Sequence, residues 1–139
     1  MFYLDTNVVI GVMNRRAPHL EARLEQEIVL GARLALPTAA LYELRYGASK
    51  SQHPQRNHAR IDAFLEGVPD IIAFDAEDAT EAGDIRALLE AKGTPIGPYD
   101  VFIAAQARRR GAVLVTLNRS EFERVPGLVA TDWSAGAAP

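Results

Sequence analysis

Residues 1–10 read MFYLDTNVVI, and this stretch decides how the rest of the chain is interpreted. A short apolar run at residues 2–4 ends on the carboxylate of Asp5, and a second apolar run follows at residues 8–10. The first run has the length and residue types of a buried strand. The carboxylate between the two runs is either a helix cap or part of a functional site.

Short apolar runs recur along the chain and predict strands that are buried on both faces. They lie at Phe2–Leu4, Leu34–Leu36, Ile71–Phe74, Ala112–Val115 and, more weakly, Leu128–Ala130. Apolar residues spaced three or four apart predict helices between these runs. They are Leu20, Leu24 and Ile28, then Ile61, Phe64, Leu65 and Val68, then Ile85, Leu88 and Leu89. Strands that alternate with helices need crossover connections, so the sequence predicts an α/β fold with a mostly parallel sheet.

The composition limits the classes of protein that the chain can represent. Its 139 residues suit one domain, which we expect over residues 1–133, with a flexible tail at 134–139. A net charge of -3 excludes a globally basic nucleic-acid binder, although a local basic face remains compatible with that sum. The chain has no cysteine and no apolar run near the roughly 20 residues that span a bilayer. We therefore expect a soluble, cytoplasmic protein.

Three acidic residues stand where the predicted fold brings the ends of strands and helices together. Asp5 follows the first strand, at the edge where open parallel sheets carry their sites. Glu43 interrupts a small and apolar helix face in LYELRYG, unless that helix is rotated so that Glu43 lies at its boundary. Asp100 begins the apolar stripe of the helix PYDVFIAAQA, although an acid in a first turn is also favoured by the helix dipole.

A fourth oxygen-rich segment follows the strand at residues 112–115. Asn118 and Glu121 lie just beyond that strand, where either can reach the same crevice, although residues there also commonly cap a short helix. Carboxylates that converge in a partly dry site repel one another unless a cation joins them. Oxygen ligands without cysteine or a histidine cluster select hard ions, so the pattern predicts Mg²⁺ or Mn²⁺ and suits displacement at phosphorus.

One segment of this acidic chain is locally basic. Between residues 45 and 60 there are four basic residues and no aspartate or glutamate: Arg45, Lys50, Arg56 and Arg60. This strip is either a solvated surface or a face that binds an RNA backbone. Residues 108–110, three arginines before Gly111, are typical of a helix C-terminus and need no ligand.

Four motifs in order, YLDTNV, LYELRYG, IGPYDVFIAAQA and LVTLNRSEF, resemble the PIN domain and, more closely, the VapC-type toxins of bacterial toxin-antitoxin pairs. The resemblance spans nearly the whole chain. It implies a three-layer α/β/α sandwich around a central, mostly parallel sheet. It also implies a Mg²⁺-dependent endoribonuclease that forms a homodimer and is neutralised by a VapB-type antitoxin.

The resemblance also implies roles for individual residues. Asp5, Glu43 and Asp100 match the three principal acids, of which Asp5 and Asp100 are the expected metal ligands. The fourth place falls on Asn118 or Glu121, and Glu121 is the expected fourth carboxylate because Asn118 is neutral. The polar positions expected to support the cluster are Asn7, Thr116 and Asn118.

Other classes of protein fit the sequence less well. A receiver-type phosphoacceptor needs paired acids early and a lysine after a late strand, whereas the only lysines here are Lys50 and Lys92. No GxGxxG or GxxxxGK[ST] pattern supports a nucleotide-binding enzyme. The alternative that remains is a catalytically inert PIN-like domain that binds RNA or a partner protein.

Overall fold

A computed structural model describes residues 1–67 and 70–134 of the chain. Within them, five short strands alternate with seven helices. The strands are β1 (Phe2–Leu4), β2 (Leu34–Pro37), β3 (Asp70–Ile72), β4 (Val113–Val115) and β5 (Val129–Thr131). The helices are α1 (Thr6–Met13), α2 (Pro18–Val29), α3 (Thr38–Ser49), α4 (Pro54–Gly67), α5 (Ala76–Ala91), α6 (Pro98–Arg109) and α7 (Arg119–Phe122).

The strands form one sheet in the order β3-β2-β1-β4-β5, and every neighbouring pair is parallel. β1 lies at the centre, with Phe2 opposite both Leu34 and Val113. The chain builds the sheet outward from β1 on one side and then crosses to β4 on the other. The strand order therefore reverses between β1 and β4, which is where parallel sheets of this kind form their functional crevice.

The prediction that every strand is buried on both faces is wrong for the two edge strands. Ile71 in β3 is 47% exposed and Val129 in β5 is 59% exposed. Each of these strands has a neighbour on one side only, so part of its surface lies outside the core. The three inner strands, in contrast, supply Tyr3, Leu36 and Leu114 to the fully buried core.

Two of the helices begin at residues that favour helix starts. Asp75 caps α5 in a reciprocal capping box with Asp78. Pro98 is the first residue of α6 and follows Gly97. The stripe of α6 that Asp100 begins is fully buried and contains Ile103, Ala104 and Ala107. Two residues of the predicted helix faces, Ile28 and Leu88, are more than a third exposed, so those faces are narrower than their spacing suggested.

Some sequence-based predictions concern residues that the structure does not describe. Val68, predicted on the face of α4, and residues 135–139 of the predicted tail lie outside the described ranges. The domain boundary at residue 133 stays a prediction. In the part of the chain that is described, none of the helices has the length and apolar character needed to cross a membrane.

Candidate active site

Asp5 lies at the carboxyl end of β1 and is 5% exposed. Its Oδ1 accepts a hydrogen bond of 2.8 Å from the backbone N–H of Thr6, so Asp5 caps α1. Its Oδ2 accepts a hydrogen bond of 2.9 Å from the Thr116 hydroxyl. The pKa of Asp5 is raised, chiefly because burial disfavours the charged form and further because Glu43 and Glu121 are near; both hydrogen bonds act against this rise. Asp5 therefore caps α1 and also belongs to an acidic site.

Glu43 reaches the same place from α3. Its Oε1 accepts a hydrogen bond of 2.9 Å from the Thr6 hydroxyl. Ala40 and Leu44 on the same helix are buried, whereas Glu43 is half-buried, so its carboxylate lies at the boundary between core and solvent. Thr6 thus donates to Glu43 through its side chain and to Asp5 through its backbone.

Asp100 enters the site from the first turn of α6 and is half-buried. A Cβ atom at Gly97 would stand 3.1 Å from its Oδ2, so the glycine leaves room for the carboxylate at the start of the helix. Burial, followed by the charges of Asp5, Glu121 and Glu43, raises the pKa of Asp100 to about 7. Asp100 therefore experiences the other three acids as close negative charges.

Glu121 and Asn118 lie together beyond β4. The side-chain amide of Asn118 donates a hydrogen bond to Glu121 Oε2. The backbone N–H of Asn118 donates to the Thr116 hydroxyl at 3.0 Å, and that hydroxyl donates in turn to Asp5. Asn118 is exposed and Glu121 is half-buried. Asn118 therefore positions Glu121 and also connects it, through Thr116, to the buried carboxylate.

Four acids from separate parts of the chain thus face one crevice, and we name this group the acidic cluster. Its members are Asp5, Glu43, Asp100 and Glu121. Within residues 1–67 and 70–134, no three acidic, histidine or cysteine side chains lie close enough to share one ion. Mg²⁺ commonly takes only one or two carboxylates and completes its shell with water. An all-oxygen donor set whose members repel one another fits such a hard cation.

The supporting residues divide into those that the sequence identified and one that it missed. Thr116 contacts Asp5 and Asn118 contacts Glu121, whereas Asn7 is exposed and borders a cavity beside Glu43. Thr6 was not predicted, although a hydroxyl directly after a capping aspartate was visible in the sequence. Its partner Glu43 is 37 residues away, so only the fold brings the pair together.

The four predicted RNA-binding residues differ in their surroundings. Arg45 forms an ion pair of 2.6 Å with Asp62, and Arg60 donates to the Asn14 side chain at 3.0 Å. Both arginines are half-buried and hold neighbouring segments together. Lys50 and Arg56 are exposed. A role for these four residues in RNA binding stays a prediction, and Lys50 and Arg56 present the more accessible charges.

Two adjoining cavities border Glu43 and also share Ile10 and Gly47 in their linings. The tyrosine cavity, of about 550 Å³, is lined by Tyr42, Glu43, Tyr46, Lys50 and Tyr99, among others. The apolar groove, of about 340 Å³, lies among α1, α3 and α4, and its lining includes Ile10, Met13, Leu44, Gly47 and Ile61. The first cavity is rich in aromatic rings, whereas the second is lined by apolar residues together with Asn14, Glu43, Asn57 and Arg60.

Comparisons with known proteins agree with this architecture. The family model described as PIN domain matches residues 2–128. A protein of Shigella flexneri named tRNA(fMet)-specific endonuclease VapC is 42% identical over 96% of this chain and 98% of its own length. Ribonuclease VapC2 of Haemophilus influenzae is 39% identical over 95% of this chain and 97% of its own.

Solved structures show the same fold. VapBC2 of Rickettsia felis, bound to a promoter DNA fragment, superposes with a TM-score of 0.88 at 36% identity and covers 96% of this chain and 99% of that one. DNA-bound VapBC of Salmonella typhimurium gives a TM-score of 0.86 at 41% identity, with 95% and 97% of the two chains covered. The α/β/α architecture predicted from the sequence is confirmed by this similarity and by the parallel sheet.

Proposed function

This chain belongs to the PIN domain family and, within it, to the VapC endoribonucleases of toxin-antitoxin pairs, and we propose that its acidic cluster holds Mg²⁺ or Mn²⁺ for the hydrolysis of RNA. The observation that carries this proposal is the position of Asp100 close to the three other acids of the cluster. Burial and three neighbouring acids raise its pKa to about 7, and a bound cation would offset that repulsion. When bound, the ion supplies an activated water and neutralises charge that develops on the phosphate.

The chain's own residues prepare the site for this chemistry. Asp5 and Asp100 would be the principal ligands, with Glu43 and Glu121 beside them. Thr6 and Thr116 each donate a hydrogen bond to Asp5, which fixes the direction of a buried carboxylate before substrate arrives. Attack by water rather than by the ribose 2′-hydroxyl leaves a 3′-hydroxyl and a 5′-phosphate.

The substrate class that we propose is transfer RNA. The relatives from Shigella flexneri and Salmonella typhimurium, 42% and 41% identical, are both named tRNA(fMet)-specific endonucleases. An enzyme that cleaves transfer RNA works where translation takes place, so we place this protein in the cytoplasm. A panel of purified transfer RNAs, the initiator included, tests this choice by showing which species is cut first.

The partner that we propose is a VapB-type antitoxin. Similar chains form VapBC complexes in Rickettsia felis, Salmonella typhimurium and nontypeable Haemophilus influenzae. The apolar groove runs beside Glu43 and is lined by Leu44 and Ile61. An apolar groove beside an acidic residue suits a short amphipathic segment whose basic side chain pairs with the acidic cluster. A catalytically inert PIN-like domain would retain the groove but lack the reaction.

The decisive experiment compares RNA ends after brief expression of the parent, Asp5→Asn and Asp84→Asn. Asp84 is an exposed aspartate on α5, so Asp84→Asn makes the same chemical change away from the site. We expect new 5′-phosphate ends after expression of the parent and of Asp84→Asn but not of Asp5→Asn. In a second experiment, the purified parent should cleave RNA with Mg²⁺ and should not cleave it in excess chelator. Cyclic phosphate ends, or full activity in chelator, would contradict the proposed chemistry.

A further inference from the structure

Three tyrosines expose their rings around one cavity next to the acidic cluster. Tyr42, Tyr46 and Tyr99 are 47%, 56% and 40% exposed, and all three border the tyrosine cavity. Tyr42 directly precedes Glu43, and Tyr99 directly precedes Asp100. Large aromatic rings left in water at a concave site commonly mark a binding surface.

The rings are held in a defined arrangement by two helices. Tyr42 on α3 and Tyr99 on α6 pack edge to face, with ring centroids 5.1 Å apart and an interplanar angle of 64°. The Tyr99 hydroxyl donates to the Tyr42 hydroxyl at 3.4 Å. Because each tyrosine is on a regular helix, the pair is positioned before any ligand binds.

A positive charge stands beside these rings. The ammonium of Lys50 lies 4.7 Å from the centroid of the Tyr46 ring, which is a cation–π contact. Lys50 is exposed and lines the same cavity as Tyr99. The cavity therefore offers aromatic faces for a flat apolar group and a cation for an anionic group, within one volume of about 550 Å³.

A nucleotide combines those two chemical groups. Unpaired bases stack on aromatic side chains, and lysine contacts the phosphates between them. A second copy of this chain is the less favoured occupant, because Glu43 and Lys50 line the cavity and the buried cores of protein interfaces are depleted in charge.

We propose that the tyrosine cavity holds one unpaired nucleotide of the RNA substrate, with its base stacked on the Tyr42–Tyr99 pair and a neighbouring phosphate contacting Lys50. This inference rests on the proposed function, since it takes RNA as the ligand. It adds a requirement that the acidic cluster alone does not impose: the RNA must present a base that is free to leave its stack close to the cleaved bond.

The test measures binding without cleavage. The probes are a fluorescein-labelled single-stranded RNA of eight nucleotides and a matched oligomer that carries the same phosphates but abasic riboses, each titrated in chelator. Tyr99→Leu removes a ring from the cavity. Its matched control is Phe64→Leu, which makes the same kind of change at a half-buried ring on α4 that does not line the tyrosine cavity.

We expect Tyr99→Leu to weaken binding of the normal RNA by about 5- to 10-fold and to leave binding of the abasic oligomer unchanged. Tyr99→Phe should lose less affinity than Tyr99→Leu, because it keeps the aromatic face. Phe64→Leu should bind both probes as the parent does, and both Tyr99 variants should melt close to the parent.

Several results would overturn the inference. An equal loss with both oligomers would show that the effect is not stacking, and a change of oligomeric state in Tyr99→Leu would assign the rings to a contact between copies. If the parent cleaves RNA while Tyr99→Leu binds the normal probe as tightly as the parent does, the stacking site is wrong and the proposed function stands. If the parent neither binds nor cleaves any RNA, both fail together.

Discussion

Thr6 connects two acids that come from distant parts of the chain. Its backbone N–H donates to Asp5 and its hydroxyl donates to Glu43. A residue that orients carboxylates in this way would act on the proposed metal site without touching the metal, and losing such a contact typically costs about 10- to 100-fold in metal affinity or activity. Thr6 is the first residue of α1 and directly follows its cap, Asp5.

Thr6→Val should therefore weaken the site while keeping the fold. The substitution preserves the backbone donor to Asp5 and a side chain of similar shape, and it removes only the hydroxyl that holds Glu43. We expect about a 10- to 100-fold rise in the Mg²⁺ concentration that gives half-maximal cleavage. Thr6→Ser, which restores the hydroxyl, is the matched control. A Thr6→Val enzyme with the Mg²⁺ dependence of the parent would show that Thr6 has only a structural role.

Ionisation of Asp100 should lower the free energy of unfolding of the metal-free protein. Its folded pKa is about 7 and its ordinary value is 3.8, so the folded protein holds a proton there between pH 4 and 7 that the unfolded chain has lost. Stability linked to this group is therefore present below pH 4 and is lost as pH rises through 7. In metal-free protein at pH 8, Asp100→Asn should be more stable than the parent by on the order of 1 kcal/mol, after allowance for screening of a half-exposed group.

Thermal melting in chelator between pH 5 and pH 8 tests whether Asp100→Asn is more or less stable than the parent. The advantage of Asp100→Asn should shrink toward pH 5, and addition of millimolar Mg²⁺ should stabilise the parent more than the variant. Asp84→Asn, on the exposed surface of α5, controls for the change in net charge. If Asp100 is only a favourable acid at a helix N-terminus, the variant will instead be less stable than the parent at pH 8, by about 0.3 to 1 kcal/mol.

The sequence predicted that Asp5, Glu43 and Asp100 come together because their positions follow from local pattern, and their roles as catalytic or metal-binding residues stay predictions. Asp5 follows a strand, Asp100 begins an apolar helix stripe and Glu43 lies at the boundary of one, and these features are visible within about ten residues. It missed the hydrogen bond from Thr6 to Glu43 because that contact needs α1 and α3 to pack. It also left Asn118 and Glu121 as alternatives, whereas the structure places them in contact with each other.

At the scale of elements, α5 and α6 are joined by a group of ion pairs at the end of α6 that lies away from Asp100. Asp78 in α5 is completely buried and accepts hydrogen bonds from Arg109 at 2.8 Å and Arg110 at 2.7 Å. Burial alone would raise the pKa of Asp78, but hydrogen bonds from Arg110, the Asp75 backbone and Arg109 lower it to about 2. This pairing holds the helix that carries Asp100.

Asp78→Asn should lower the free energy of unfolding by about 1.5 to 3 kcal/mol at pH 7, because it removes the buried charged acceptor of both arginines while Arg109 keeps its ion pairs with Asp75 and Glu77. Because the folded pKa lies below the ordinary value, the stability from this charge is present above pH 4 and is lost as pH falls toward 2. Urea unfolding of the parent and the variant at pH 7 and pH 3 should show a gap that narrows in acid.

The matched control for Asp78→Asn is Glu90→Gln on the same helix. Glu90 pairs with Arg86 in the open, with both side chains more than half exposed, so its loss should cost under about 0.5 kcal/mol. Equal effects of the two substitutions would contradict the role given to Asp78. The sequence explained the three arginines only as favourable charges at a helix end, because it cannot show which acids of another helix stand opposite them.

The sheet order explains why one face of the whole molecule carries the site. Asp5 and Thr116 follow the central strands β1 and β4, where the strand order reverses, while Glu43 and Asp100 come from helices beside that edge. The alternation of strands and helices in the sequence predicted a parallel sheet with the site at the carboxyl ends of its strands. The exposed edges of β3 and β5 were not predicted, because strand order depends on crossovers that short apolar runs do not encode. The homodimer implied by the family resemblance stays a prediction.

The apolar groove gives the last prediction, which concerns the antitoxin. Gly47 lies in α3 on the wall of the groove, and a Cβ atom added there would meet nothing within 4 Å. Gly47→Leu should raise stability by up to about 1 kcal/mol through helix propensity. At the same time, its side chain should narrow the groove and reduce binding of the protein encoded by the neighbouring reading frame.

Gly83→Leu is the matched control, because Gly83 is also in a helix, in α5, and has open space around it, but it lies away from the groove. Co-purification and isothermal titration with the neighbouring protein should show lower affinity for Gly47→Leu and parental affinity for Gly83→Leu, with both variants at least as stable as the parent. Because the fold is retained in each, a loss confined to Gly47→Leu would assign antitoxin binding to the space at Gly47, where the apolar groove adjoins the tyrosine cavity. Parental affinity in Gly47→Leu would place the antitoxin on another surface.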